Sequence, residues 1–395
     1  MNDCATGWAD SGLAWLTGLP DGPPDFSRSA VLIRADTVAA AIAAQAEVRV
    51  DPVVTLTGRA ALLGLSRNGS TSAGRAARLM KTRDGWCALT LSRPDDVAAV
   101  PALVEAGIDP DDPWPAVALW AQRCSSAEVV DRAMLLDLPA AALGEASAQP
   151  ARVGVTGHRG PPRSAAGLLV ADLSSMWAGP LCGQILASAG ATVVKVESPT
   201  RPDGTRAGEK AFFDWVNHGK LSYAVDFDRD GDRLRALLSA ADVVIEGSRP
   251  AALRRRGLGP EQVTGPVGRV WLSVTGHGWA SRRVAFGDDA AVAGGLVGTS
   301  TRGPVFCGDA IADPLTGLES ALAVLDSLHR GGGEVIEIAM AEVAAMYAAL
   351  PTGPSQSPCE ARAPQPPLPA GPAAALGADN ARVEELINQR QSIPC

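Results

Sequence analysis

Asp313 stands in the run IADPLTGLES (311–320), one residue before Pro314 and at the head of an apolar series. Leu315, Leu318, Leu322 and Leu325 follow at helical spacing. That pattern predicts a helix N-cap, with proline at the first helical position. A cap and a nucleophile are compatible roles. The positive end of a helix favours the ionised carboxylate, and only that form attacks a carbonyl carbon.

A second charged feature lies in GSRPAALRRRGLG (247–259), directly after the apolar run DVVIE. Arg249, Arg254, Arg255 and Arg256 gather there in a chain of formal net charge −8. Guanidinium groups suit forked contact with phosphate, and the end of a buried strand is where an α/β sheet meets its ligands. A solvated helix with an arginine face reads from the same residues. The loop SSMWAG (174–179) follows another such strand, and Gly179 before Pro180 leaves free N–H groups at a helix start. That loop lacks G-x-G-x-x-G, and G-x-x-x-x-G-K-[ST] occurs nowhere in the chain. Both absences argue against a nicotinamide dehydrogenase or a P-loop NTPase.

The balance of charge narrows the class further. Acidic residues outnumber basic ones, 43 to 35, which argues against nucleic acid as the main partner. Seven cysteines are scattered singly without a C-x-x-C pair, predicting reduced thiols in the cytoplasm and no zinc or other metal site. The start MNDCATGWAD has no secretion signal, and no apolar run approaches the roughly 20 residues of a membrane helix, so no membrane association is expected.

These residues need elements to position them. GLLVADL (167–173), ATVVKVE (191–197), LSYAVDF (221–227), ADVVIEG (241–247), RVWLSVTG (269–276) and EVIEIAM (334–340) are short apolar runs of strand length. Helical patterns alternate with them, including 180–190 and Leu315 to about Arg330. The expected fold is α/β, a doubly wound, mostly parallel sheet over 168–350, with a smaller α+β domain at 1–150. Within the smaller part, 1–30 reads as irregular, 37–48 as a helix, 84–107 as strand then helix, and 112–139 as one or two helices. A Gly/Pro/Arg-rich stretch, 151–167, reads as a linker. Residues 351–395 read as a proline-rich extended segment and a last short helix near 378–390.

Several of these motifs occur together in a known order. VADLSSMWAGPLCGQILASAGATVVKVESP, NHGKLSYAVDF, ADVVIEGSRPAALRRRGLG, VWLSVTGHG and ADPLTGLESALAVLDSLHRGGG resemble family III CoA-transferases. That family includes formyl-CoA transferase, carnitine CoA-transferase and α-methylacyl-CoA racemase. The resemblance implies a Rossmann-like domain that binds coenzyme A or acyl-CoA as substrate, a carboxylic acid as second substrate, and an interlaced homodimer. It places Met176, Trp177 and Ala178 against CoA, and Gly247, Ser248 and Arg255 near its nucleotide end. Asp313 matches the catalytic aspartate. TRDGWCALTLSRPDD and the helices after it resemble the family's small domain, which normally follows the CoA-binding half. Here it precedes that half, so the chain reads as a permuted member.

The implied mechanism is covalent. Asp313 attacks a donor thioester, forming a mixed anhydride and then an aspartyl-CoA thioester, and an acceptor carboxylate takes the CoA. Backbone N–H groups in turns such as GDAIAD (308–313) are candidate donors to the developing negative charge. A racemase or epimerase is the alternative within the family. Its members carry a histidine where this chain has Asp288 and Asp289 in FGDDAAVAGG, and Asp288 is then the group that would orient Asp313 or carry a proton. A CoA-binding protein without turnover, with Asp313 only a cap and Asp288 only a helix start, is the third reading.

Overall fold

A computed structural model describes residues 2–247, 249, 252–369 and 371–392. Its main sheet has seven strands, in the order Arg152–Val155, Glu334–Ala339, Val270–Thr275, Val243–Glu246, Leu169–Leu173, Thr192–Glu197 and Leu221–Ala224. All but the first run parallel, and these six are the apolar runs of the sequence. From Leu169–Leu173 the chain winds outward to one side, then returns through Val243–Glu246 and winds to the other. The reversal opens a crevice at the carboxyl ends of those two strands, where doubly wound sheets hold ligands.

The strands bury both faces, which is why they read as continuous apolar runs. Val170, Val243, Ile245, Val270, Leu272 and Ile336 join one core with the helices Ala178–Ser188 and Ala312–His329. Leu169, Ala171, Val244, Trp271 and Val335 join the other, under the helices Gly231–Ala240 and Asn380–Gln391. The alternation is that of side chains pointing to opposite faces of a sheet.

The N-terminal part differs from the expectation of one small domain over 1–150. Helices Asn2–Asp10, Leu13–Leu16 and Ala30–Ala46 pack into the first sheet core, with Trp8 and Leu13 wholly buried. Residues 1–30, expected to be irregular, are thus half helical. Their helices are too short to show a period, and burial against the sheet supplies the stability that local propensity lacks. The expected helix at 37–48 begins seven residues earlier, at Ala30. A separate small core lies between the antiparallel strands Ala77–Lys81, Trp86–Thr90 and Ala140–Ala142 and three helices, Pro94–Val104, Trp114–Ala121 and Ser126–Leu135. The opposite side of that small sheet, Ala77, Leu79 and Ala88, rests on Val292, Val297 and Phe306. Those three come from the helix Gly287–Ala293 and a hairpin, Val297–Ser300 with Gly303–Phe306, both inserted before Ala312–His329.

Part of the stretch read as a linker is also ordered. Arg152–Val155 pairs antiparallel with Glu334–Ala339 at the sheet edge. All four of its residues are exposed, so it carries no apolar signal. The described residues 351–369 form neither helix nor strand, and the last helix, Asn380–Gln391, covers the opposite edge. Asn380 Oδ1 accepts the Ala224 N–H and its Nδ2 donates to the Ala224 carbonyl, while Asp379 accepts the Ser222 N–H. Side chains there satisfy groups that an open edge strand would expose. Among the described residues no helix is long and apolar enough to cross a membrane.

Candidate active site

Asp313 lies two residues deeper than the cap. The helix begins at Ala312, Ile311 takes the cap position without a side-chain bond, and Pro314 falls in the first turn. Ala310 adopts a left-handed backbone, φ +43°, and accepts the Asp313 N–H at 2.9 Å, which starts the helix early. Freed from capping its own helix, the carboxyl meets the N–H groups of Ala178 and Gly287. Each is the first residue of a helix, Ala178–Ser188 and Gly287–Ala293. Three helix starts therefore converge on one carboxyl group.

That convergence depends on small residues. A Cβ at Gly287 would lie 2.2 Å from the Ala310 carbonyl oxygen and 2.5 Å from Asp313 Oδ2. One at Gly317 would lie 2.7 Å from Leu181 Cδ2, so Gly317 lets the helices Ala312–His329 and Ala178–Ser188 touch closely.

A cation reaches the same place from the N-terminal part. Arg59, on the helix Pro52–Leu62, donates from Nη1 to both oxygens of buried Asp309, at 2.6 and 2.7 Å. Its guanidinium stands 5.7 Å from the Trp177 ring and 5.5 Å from the Phe212 ring, within cation–π range. Asp288 Oδ1 accepts the Ala310 N–H at 3.0 Å. The amides of GDAIAD thus serve elsewhere: Ala310 on Asp288, Gly308 on Thr17. The donors at Asp313 come from two other helices.

Burial pushes the Asp313 carboxyl up to about 7. Arg59 and the Ala178 and Gly287 amides pull it down, and the nearby Asp288 pushes it up. Asp288 is raised to about 6, by burial first and by Asp309 next, against the pull of Arg59, the Ala310 amide and the Ser72 hydroxyl. Asp289 faces away from this group. It accepts from Thr90 Oγ1 at 2.8 Å and from the Phe286 N–H at 3.0 Å, joining the small sheet to its helix. Burial raises it to about 7, and its Oδ2 is buried without a partner among the described residues, which favours the protonated form.

Asp313, Asp288 and Arg59 line one cleft of about 310 Å³, walled by Met176, Trp177, Phe212 and Phe286 and closed by Thr90 of the small sheet and Ser92 just after it. Met176 and Trp177 thus share the cleft with Asp313, and Ala178 presents its N–H to Asp313. Met176 has a left-handed backbone, φ +73°, a strained state for a side chain of its size. Its N–H donates to both oxygens of Asp203 at 3.2 Å. Lys195, buried in its strand, donates to Asp203 Oδ2 and to the Ser174 carbonyl, each at 2.6 Å. A buried ion pair thus holds the loop from below.

Gly247 closes the strand Val243–Glu246 beside this loop, where a Cβ would lie 3.3 Å from Ser174 Cβ, but it does not line the cleft. Ser248 lies outside the described residues. The arginine cluster is mostly spent on the protein itself. Arg249 pairs with Asp137, Arg254 with Glu261 and Arg256 with Asp228. Arg255 is exposed and has no ion pair among the described residues, leaving it free for a phosphate, although it too stands outside the cleft.

Arg59, Asp309, Lys195 and Asp203 were not singled out by sequence. One signal was present: Lys195 is the only charge inside VVKV, a strand otherwise read as buried. A lone lysine there requires a partner.

The profile described as CoA-transferase family III matches residues 166–367. A succinyl-CoA--D-citramalate CoA-transferase of Chloroflexus aurantiacus is 32% identical over 46% of this chain and 50% of its own. A succinate--glutarate CoA-transferase of Agrobacterium fabrum is 34% identical over 47% of this chain and 52% of its own. Among solved structures, a hypothetical protein of Mycobacterium tuberculosis, Rv3272, overlaps 49% of this chain and 57% of its own at 28% identity, with a TM-score of 0.43. The chain spans about half the length of the curated relatives it matches. With the matched span covering half of its residues, including the crevice and Asp313, the chain belongs to CoA-transferase family III.

Proposed function

We propose that this chain transfers coenzyme A from an acyl-CoA thioester to a carboxylic acid, with Asp313 as the nucleophile. The supporting observation is the meeting of the Ala178 and Gly287 N–H groups on a buried carboxyl in a cleft. An Asp313 oxygen attacks the thioester carbon, the C–S bond breaks, and CoA leaves as thiolate. The thiolate attacks the Asp313 carboxyl carbon, the donor acid departs as carboxylate, and Asp313 becomes a CoA thioester. The acceptor carboxylate attacks that same carbon and releases the thiolate. The thiolate then takes the acceptor's acyl carbon, and free Asp313 is restored.

Two of these attacks place negative charge on an oxygen of Asp313 itself. The two amides that bind its ionised form are thereby positioned to bind the tetrahedral oxyanion. Incubation with acyl-CoA followed by hydroxylamine or borohydride, with peptide mapping by mass spectrometry, tests the reading. An adduct at Asp313 is expected. An unmodified Asp313 during turnover defeats the proposal. One relative's name includes succinyl-CoA, which is therefore a donor to compare with an uncharged acyl-CoA in that assay.

The raised pKa of Asp313 gives two opposed pH trends. Asp313 is shifted from 3.8 to about 7, so between these values the folded chain keeps a proton that the unfolded chain has lost. Stability contributed by this group is complete below 3.8 and is lost as pH rises to about 7. Asp288 and Asp289 act in the same direction. Turnover runs the other way, because the ionised nucleophile accumulates through about pH 7. Melting temperature and kcat measured from pH 5 to 8 should therefore diverge.

Arg255→Ala is expected to raise the Kd for CoA by about 5- to 20-fold, in a salt-dependent way, with kcat nearly unchanged. A fall in kcat alone would contradict a phosphate contact, which binds ground and transition states alike.

One observation favours a second reading. Asp288 and Asp313 line the same cleft and both titrate near neutrality, at about 6 and 7, as an acid–base pair for an α-proton requires. α-Deuterium uptake from heavy water by a chiral acyl-CoA, without thioester exchange, would establish that activity instead.

A further inference from the structure

We infer that the acyl group this cleft accepts is that of a monocarboxylic acid with an apolar body, and that thioesters of dicarboxylic acids are disfavoured. The inference rests on the transfer reading for its chemistry, and on the charges and walls of the cleft for its selectivity.

Arg59 is the one cation among the described residues lining the cleft, whereas Glu209, Asp288 and Asp313 are acidic. Its Nη1 already donates to both oxygens of Asp309. One guanidinium thus stands among three carboxyl groups, those of Asp288, Asp309 and Asp313. Burial raises both Asp288 and Asp313, and the single guanidinium shared among the three carboxyl groups offsets that only in part. Acylation of Asp313 removes one negative charge and makes room for one carboxylate, the reacting end of the acceptor. A second carboxylate on the same acid has no unpaired cation to meet, and would lose its hydration without replacement. Apart from the neutral hydroxyls of Thr90, Ser92 and Thr205, the remaining side chains suit an uncharged chain, with Leu63, Ala76, Met176, Trp177, Phe212 and Phe286 supplying apolar walls.

Butyryl-CoA and succinyl-CoA have acyl chains of equal length and differ in a terminal carboxylate, so they form a matched pair. Their Kd values would be measured by calorimetry on Asp313→Asn protein, which cannot turn over. Butyryl-CoA is expected to bind about tenfold tighter or better. Equal binding, or a preference for succinyl-CoA, overturns the inference. Adding Asp309→Asn releases Arg59 and should narrow the gap to within about threefold by improving succinyl-CoA binding. A gap left unchanged would overturn the role given to the occupied guanidinium. If the double variant does not fold, the first comparison decides alone. A butyryl-CoA preference together with no thioester exchange by the unaltered protein, whatever the acceptor, supports this selectivity while removing the transfer reading. Failure of both esters to bind removes both.

Discussion

Asp313→Ala is expected to lower thioester exchange by on the order of 10⁴-fold while leaving the chain folded. The loss follows from the covalent route, since Asp313 is the carboxyl that meets the N–H groups of Ala178 and Gly287. Stability should respond in an instructive way. The ionised form of this carboxyl is disfavoured by burial, so at pH 8 the native state carries a charge it holds poorly. Removing it should leave the melting temperature at pH 8 unchanged or higher and flatten its decline between pH 5 and 8. A purely structural carboxyl would give the opposite result, a lower melting temperature with turnover intact. That outcome would end the assignment.

Asp203→Ala should have the largest effect on stability, about 3–5 kcal/mol, read as a shift in the urea midpoint. The substitution leaves the Lys195 ammonium buried beneath the loop with only the Ser174 carbonyl as acceptor. Adding Lys195→Met removes the stranded charge and should restore most of the stability, because replacing both members of a buried pair is often close to neutral. Turnover should not recover with it. The Met176 N–H would still lack the carboxylate that holds its backbone at φ +73°, and Ala178 follows two residues later. A double variant that regains both stability and kcat would show that the ion pair serves the fold alone.

The sheet was legible because its six parallel strands bury both faces and so read as unbroken apolar runs. Arg152–Val155 escaped for the converse reason: an exposed edge strand has no face to mark. Asp313 was legible through the proline beside it and the leucines after it, although the cap role inferred from them was two residues off. Its electrostatic partners could not be read in the same way. Arg59 and Asp309 are 250 residues apart in sequence, and neither belongs to a pattern that would single it out. The four arginines after DVVIE show the limit of counting charges. The sequence displays their number, but only the fold shows which acids on neighbouring segments have claimed three of them.

The ion pair between Arg59 and Asp309 joins the matched span to residues that precede it. Asp313 lies inside that span and the guanidinium beside it comes from outside, so the charges around this carboxyl are drawn from both sections. A gene rearrangement that parted the two sections would strand an acidic cluster without its counter-ion. Their inheritance as a unit is therefore a requirement of charge balance as much as of the shared core.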